Sequence, residues 1–167
     1  MSFPRAPRAR ATGVAGAATL LLVLLASAPA RADATLFVGT VTQPATQAFR
    51  GFAVGANFIV LGFEFEYASS AEDATEGLPS VKTAMGNVYV QTPFGAVQFY
   101  GLLGAGLYRE SLQGAQETSA ATSIGGGAKI GLTGPLRLRL DYRLINLRGA
   151  PRSTQVHRVY AGLNLLF

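Results

Sequence analysis

The side chains that could support catalysis are few. His157 is the only histidine of this 167-residue chain, and cysteine is absent. Ser153 lies four residues before His157, so a serine nucleophile activated by this histidine is the enzyme hypothesis to weigh. No Asp or Glu stands near His157 in the sequence to orient its ring, and a lone histidine where a strand meets a loop is more often a rim residue. We therefore predict that the protein is not an enzyme.

The sequence also offers few residues that could bind a metal or a cofactor. One histidine and no cysteine leave only carboxylates as ligands. Glu72, Asp73 and Glu76 could hold a divalent cation loosely, but a solvated acidic loop is the simpler interpretation. The glycines at 125–127 open no helix and lack the Lys-Ser/Thr of a phosphate loop. We predict no metal and no cofactor.

Charged residues instead recur at every second position. Arg137, Arg139, Asp141 and Arg143 alternate with leucine and tyrosine, and Glu64 and Glu66 alternate with phenylalanine. A period of two places such residues on one face of a β-strand. The charges then lie either on a water-exposed surface or inside a polar lumen.

Eight short alternating segments, separated by turn-forming residues, indicate an all-β fold. An even number of strands allows the sheet to close, and we predict an eight-stranded antiparallel up-and-down β-barrel. The segments are 35–43, 48–56, 58–68, 81–92, 95–108, 121–133, 135–147 and 156–167.

The connections between these segments alternate in length. Short turns are predicted at 55–57, 92–94 and 133–135, and longer polar loops at 43–47, 69–80, 110–120 and 148–155. Short turns at one end and long loops at the other are typical of a transmembrane barrel of the outer membrane, with the loops outside.

The side chains on each face favour a lipid-facing exterior. A soluble barrel would have to pack Phe63, Phe65, Tyr142 and many leucines into a narrow core. With the faces reversed, the large apolar groups meet lipid and the charges face inward, where they must be paired. We therefore predict an ion-pair network that fills the lumen. Its members are Glu64, Glu66, Lys129, Arg137, Arg139, Asp141, Arg143 and Arg158.

Aromatic residues near the predicted strand ends suggest a belt at the two membrane interfaces. The residues assigned to this belt are Phe37, Phe49, Tyr67, Tyr89, Phe94, Tyr108, Tyr142 and Phe167.

The first 32 residues have the pattern of a cleaved signal peptide. A basic head precedes an apolar run at 13–26, and Ala28-Pro-Ala30 or Ala30-Arg-Ala32 supplies a small-x-small cleavage site. Cleavage after Ala32 removes four arginines and lowers the formal net charge from +5 to +1. No run of Lys or Arg remains to suggest nucleic-acid binding. We predict a signal peptide at 1–32 and a barrel domain at 33–167.

Four segments resemble the small outer-membrane barrels of Gram-negative bacteria, the OmpA/OmpX-like and opacity-protein porin group: Tyr100–Tyr108, Gly125–Thr133, Leu136–Arg143 and Tyr160–Phe167. The last is similar to the C-terminal signal read by the barrel-assembly machinery. The resemblance implies that Tyr160, Gly162, Leu165 and Phe167 form that signal, and that the chain inserts in the outer membrane.

We therefore expect an outer-membrane protein with an envelope-structural or surface-interaction role through its loops, in contact with lipid and monomeric. Two alternatives remain open. One is a soluble periplasmic, lipocalin-like barrel that binds a small apolar ligand. The other is an outer-membrane enzyme that modifies lipid A, which would depend on His157.

Overall fold

The chain forms a closed antiparallel β-barrel. The computed structural model describes residues 30–42, 45–73, 75, 77–93, 95–151 and 153–167. The predicted signal peptide thus lies outside the described residues, except for 30–32. The eight strands are β1 (Ala30–Thr42), β2 (Gln47–Phe58), β3 (Leu61–Ser70), β4 (Ser80–Gln91), β5 (Val97–Leu112), β6 (Ala115–Thr133), β7 (Leu136–Leu147) and β8 (Gln155–Leu166).

Each strand pairs with its neighbours in sequence, and β1 pairs with β8 to close the sheet. The closing register runs from Asp33 opposite Leu166 to Thr42 opposite His157. The Phe167 backbone exchanges two hydrogen bonds of 2.9 Å with Ala32. Closure leaves no unpaired edge along this seam. No helix within the described ranges is long and apolar enough to cross a bilayer.

Two predicted connections are wrong. The segment 55–57 is not a turn but lies within β2, and the chain reverses at Ile59 and Val60. The segment 110–120 is not a long loop, because β5 and β6 continue as a hairpin that turns at Gln113 and Gly114. Both turn residues have positive φ, 48° and 86°, as a type I′ hairpin turn requires.

The outer surface of the barrel is apolar. Successive residues of β8 show the alternation: Val159 and Leu163 are 51% and 53% exposed, whereas Tyr160 and Asn164 are 2% and 0% exposed. The same outward face carries Leu36, Phe63, Phe65, Phe99 and Leu103 on other strands. This polarity is the reverse of the one that a soluble, lipocalin-like barrel requires.

Glycines let large side chains fit into the narrow lumen. A Cβ on Gly62 would overlap the Tyr89 ring, and one on Gly39 would overlap Tyr160. Glycine is therefore needed at these positions for close approach rather than for turning.

Candidate functional site

The charged lumen is the candidate site, and it is built by strands on opposite sides of the barrel. Glu64 and Glu66 point inward from β3, and Arg139, Asp141 and Arg143 point inward from β7, four strands away. The side chains therefore meet across the lumen rather than along one strand pair. All five are at most 4% exposed.

Arg143 lies at the centre of the network. Its Nε is 2.7 Å from Asp141 Oδ1, its Nη1 is 2.8 Å from Glu66 Oε2, and its Nη2 is 3.3 Å from Glu64 Oε1. Arg139 pairs with Glu64 and, at 3.3 Å, with Asp141. Arg158 from β8 pairs with Glu66 and donates to Thr83 Oγ1 at 3.2 Å.

Neutral side chains add hydrogen bonds to this network. Tyr100 donates its hydroxyl proton to Asp141 Oδ2 at 2.5 Å and accepts from Arg139 Nε at 2.8 Å. Tyr160 accepts from Arg143 Nη2 at 3.1 Å, and Asn87 donates to Glu64 Oε1 at 3.3 Å. Such hydrogen bonds offset part of the cost of burying the ion pairs, although Arg158 Nε has no hydrogen-bond partner among the described residues.

A second ion pair lies nearer the short turns. Lys129 Nζ is 2.7 Å from Asp33 Oδ2, and Asn57 donates to the same oxygen at 2.9 Å. Tyr89 donates to Asn57 Oδ1, and its ring lies 4.8 Å from Lys129 Nζ. Sequence reasoning missed Asp33 because it started the first strand at residue 35. The continuing alternation of Asp33, Thr35 and Phe37 was the available signal.

These two clusters balance in charge. Glu64, Glu66 and Asp141 face three arginines, and Asp33 faces Lys129. An eight-stranded barrel is just wide enough for its own side chains. The geometry therefore closes the lumen with paired charges.

Arg137, which was assigned to the same network, lies apart from it. Its side chain is half-buried, donates to Gln98 Oε1, and forms no ion pair with any described carboxylate. With Lys129, Asn57 and Gln91 it lines a cavity of about 300 Å³ at the turn end.

The other end of the lumen is apolar. We call the buried cluster of Met85, Tyr108, Ala121, Ile145, Leu147 and Val156 the loop-end core. Beside it, a cavity of about 60 Å³ opens among the loops, lined by Phe49, Leu78, Val81 and Arg158 among others. The network thus lies between the cavity at the turn end and this loop-end cavity.

The predicted aromatic belt is wrong for four residues. Phe37, Phe49, Tyr89 and Tyr108 are at most 6% exposed and point into the barrel. The Phe37 ring stacks on Tyr160 at 4.3 Å. Tyr142 and Phe167 do lie on the outer face, 46% and 70% exposed, and Tyr67 lies there half-buried. Phe94 lies outside the described residues.

The four residues of the suggested assembly signal divide between the two faces. Tyr160 and Gly162 face the lumen, where a Cβ on Gly162 would lie 2.7 Å from the Leu36 carbonyl oxygen. Leu165 and Phe167 face outward, 45% and 70% exposed. The outward pair is thus accessible, and the inward pair is packed against β1.

His157 and Ser153 do not form a nucleophile and base pair. His157 Nδ1 is 2.7 Å from the Tyr142 hydroxyl on the outer face. The Ser153 hydroxyl donates to the Gln155 carbonyl at 2.9 Å. Of the loop carboxylates, Glu72 accepts the Gln113 backbone N–H at 3.0 Å, and Glu76 lies outside the described residues. Within the described ranges, no group of three or more His, Cys, Asp and Glu is placed to hold a metal ion.

Comparison with known proteins gives the fold. No protein-family model matches the chain, and no curated protein matches its sequence. Neisserial surface protein A is similar in structure, with a TM-score of 0.68 and 15% identity over 83% of this chain and 97% of that one. The chain has the fold of the small outer-membrane β-barrels.

Two further structures agree with this fold. The N-terminal β-barrel domain of Pseudomonas aeruginosa OprF gives a TM-score of 0.62 at 12% identity, over 82% of this chain and 97% of that one. The Yersinia pestis outer membrane protein Ail in a phospholipid bilayer nanodisc gives 0.51 at 15% identity, over 81% and 99%.

Proposed function

We propose that this protein spans the bacterial outer membrane as a monomeric, non-enzymatic barrel that acts through its loop end in envelope structure or surface interaction. The observation that carries the proposal is the inverted polarity of the barrel. Exposed leucine, valine and phenylalanine side chains form its outside, whereas buried, paired charges fill its middle. Such a surface is stable in lipid and would associate in water.

The closed lumen supports a structural role over transport. Arg143 contacts three carboxylates and joins β3 to β7 across the barrel, which supports a lumen that is plugged by its own side chains. The bond between His157 and Tyr142 on the outer face supports the absence of catalysis at the only histidine. The loops, which vary at little cost to the barrel, are the part available to partners.

Fractionation tests the membrane proposal. Expressing cells are separated into periplasm and outer membrane, and the membrane fraction is run on SDS gels with and without boiling. We expect recovery only with detergent and faster migration before boiling, because a fully paired barrel resists SDS. Recovery in the periplasm without detergent, with no heat-dependent shift, would overturn the proposal in favour of a soluble barrel.

Orientation is tested by cysteine labelling, since the natural chain has no cysteine. Gln116→Cys lies in the β5–β6 hairpin, and Thr133→Cys lies beside a short turn; both positions are exposed. A membrane-impermeant maleimide applied to whole cells should label Gln116→Cys and spare Thr133→Cys until the cells are lysed. The opposite pattern would place the loops in the periplasm.

The proposed role of the C-terminal residues in assembly is tested with two outward positions, one within β8 and one directly after it. Phe167→Ser should lower the amount of barrel in the outer membrane, whereas Leu163→Ser, a matched change at a similarly exposed residue, should lower it less. Both variants should refold equally well in detergent. Equal loss in cells would argue against a specific signal at Phe167.

A further inference from the structure

Charges on the outer face of the barrel are sorted by sign. The carboxylates of the described strands all turn inward: four belong to the lumen pairs, Glu110 lines the loop-end cavity, and Glu117 accepts from Tyr108. The outward cations within the loop half of the strands are Arg50, Lys82 and Arg109, all exposed. The ion pairs of Asp33, Glu64, Glu66 and Asp141 are all with lumen cations and involve none of these three.

The strand register places these cations in one row. Arg50 is opposite Ser69, Ser69 is opposite Lys82, and Lys82 is opposite Arg109, which is opposite Thr118. Neighbouring strands lie about 4.8 Å apart, so the row runs continuously over β2, β3, β4 and β5. We call Arg50, Ser69, Lys82 and Arg109 the cationic row.

The row borders the apolar surface. The next outward residues toward the turns are Phe52, Tyr67, Ala84 and Leu107, which are opposite one another in the same order. The rings of Phe52 and Tyr67 lie 5.9 Å apart. A lipid whose chains cover these residues would place its headgroup at the cationic row.

The row is costly without an external anion. Lys82 and Arg109 are directly opposite, and like charges in a cross-strand pair destabilise a sheet. Arg109 Nε donates only to Thr118 Oγ1, at 3.2 Å. On the far side of the barrel, the outward residues within the loop ends of β1, β7 and β8 are uncharged or histidine, and the exposed Arg148 lies just beyond the end of β7. The residues within the strands are Thr40, Thr42, Asn146, Gln155 and His157.

We propose that the cationic row binds the phosphate groups of a phosphorylated glycolipid in the outer leaflet, with its acyl chains against Phe52 and Tyr67. A phosphate monoester carries close to two negative charges, and arginine can bind it through two parallel hydrogen bonds. This inference rests on the proposed membrane function. It adds to that function a preference for phosphorylated lipid and a preferred side of the barrel, formed by β2 to β5.

The test is native mass spectrometry of the refolded barrel in detergent, titrated with diphosphorylated lipid A. The wild-type chain is compared with the triple variant Arg50→Gln, Lys82→Gln, Arg109→Gln, with Arg109→Gln alone, and with Arg148→Gln as a control. Arg148 is also an exposed cation at the loop end but lies outside the row. Dephosphorylated lipid A and inorganic phosphate are titrated in parallel.

Each cation near a membrane surface adds about 1 kcal/mol to binding of anionic lipid, or about a fivefold change in Kd. We expect about a fivefold weakening for Arg109→Gln, a larger one for the triple variant, and none for Arg148→Gln. Dephosphorylated lipid A should bind weakly to every variant, and inorganic phosphate should not compete. Equal lipid A affinity in the wild-type and triple-variant proteins would overturn the inference, as would an equal loss in Arg148→Gln or equal binding of the dephosphorylated lipid.

The two proposals fail in different ways. Heat-dependent SDS migration in phosphatidylcholine vesicles reports barrel closure without any lipid A. A barrel that never closes there contradicts the proposed function. A barrel that closes but shows no preference for phosphorylated lipid contradicts only the cationic row.

Discussion

The middle of the lumen and the loop-end core fill the same barrel with different chemistry. In the middle, Arg143 and its three carboxylates are held by ion pairs and tyrosine hydroxyls. At the loop end, Ile145, Leu147 and Val156 form an ordinary hydrophobic cluster. The inward face of β7 passes from one region to the other between Arg143 and Ile145, which are two residues apart.

This difference separates two causes of stability. An ion-pair network is sensitive to the loss of one partner, because the remaining charge stays buried without compensation. A hydrophobic cluster loses stability in proportion to the volume removed. Substitutions in the two regions should therefore differ in size and in how they can be rescued.

The largest expected effect is that of Arg143→Ala. The change leaves Glu64, Glu66 and Asp141 with a net negative charge inside the barrel. We expect a loss of about 3–5 kcal/mol in the free energy of unfolding, measured by urea titration in detergent micelles. A loss below about 1 kcal/mol would show that water enters the lumen and screens these charges.

Removing a balanced pair provides the control for Arg143→Ala. Glu64→Leu with Arg139→Leu keeps the lumen neutral and replaces the charges by apolar groups. We expect the double variant to lose less stability than either single substitution, because neither partner is left buried alone. A double variant as unstable as the sum of both singles would mean that the two sites do not interact.

Ile145→Ala tests the loop-end core. The side chain is 3% exposed, and its truncation should cost about 2–5 kcal/mol through lost burial and a new cavity. Ile124→Ala, an outward position that is 52% exposed, should cost less. Equal losses in the same urea titration would mean that the loop-end core is loosely packed.

A smaller effect is expected from Tyr160→Phe. The substitution removes the acceptor of the 3.1 Å bond from Arg143 Nη2 and leaves the ring stack on Phe37 in place. A hydrogen bond to a charged group contributes about 1.5–3 kcal/mol. Unfolding by urea measures the loss, and Phe37→Leu separates the stacking contribution. An unchanged free energy of unfolding would assign the role of Tyr160 to packing alone.

The fold was predictable because β-barrel sequences carry a period of two. That period places Glu64, Arg139 and Arg143 on one face of their strands, and the large apolar side chains on the other face indicate that the charged face points inward. The pairing of Glu64 with Arg139 does not follow from the period, because it depends on β3 and β7 being opposite in the closed barrel. Arg137 shows the limit of the period, which gives the face of a strand but not the partner of a side chain. Arg137 lies on the same face as Arg139, but its position along the strand places it at the lumen mouth, beyond the described carboxylates.

The errors at the hairpins have physical causes. The β5–β6 extension is exposed on both faces near its tip, so it lacks the apolar alternation of a strand, although Gln113-Gly114 carried a usable turn signal. At the β2–β3 turn, Ile59 has a φ of 35°, which β-branched residues rarely adopt. The residue preferences of turns therefore predicted the reversal at Gly55 instead of Ile59. The inward aromatics were missed because the burial of a ring depends on opposite glycines such as Gly62.

The smallest expected effect is that of Tyr108→Phe, which compares the loop-end core with the charged middle of the lumen. Tyr108 is the one member of the loop-end core that makes a strong polar contact, donating to the Arg148 carbonyl at 2.7 Å. Its hydroxyl also lies 3.3 Å from Glu117 Oε1, which accepts the Ala150 N–H at 2.6 Å. Tyr108→Phe should cost only about 0.5–1.5 kcal/mol, because its main acceptor is neutral.

The same substitution should loosen the loop at 148–154, since Tyr108 is one of its anchors. Amide hydrogen exchange should rise there and stay unchanged near Arg143. A loss as large as that of Tyr160→Phe, or faster exchange in the middle of the barrel, would mean that the two regions unfold as one unit. The contrast between the charged middle and the loop-end core would then describe their composition and not their stability.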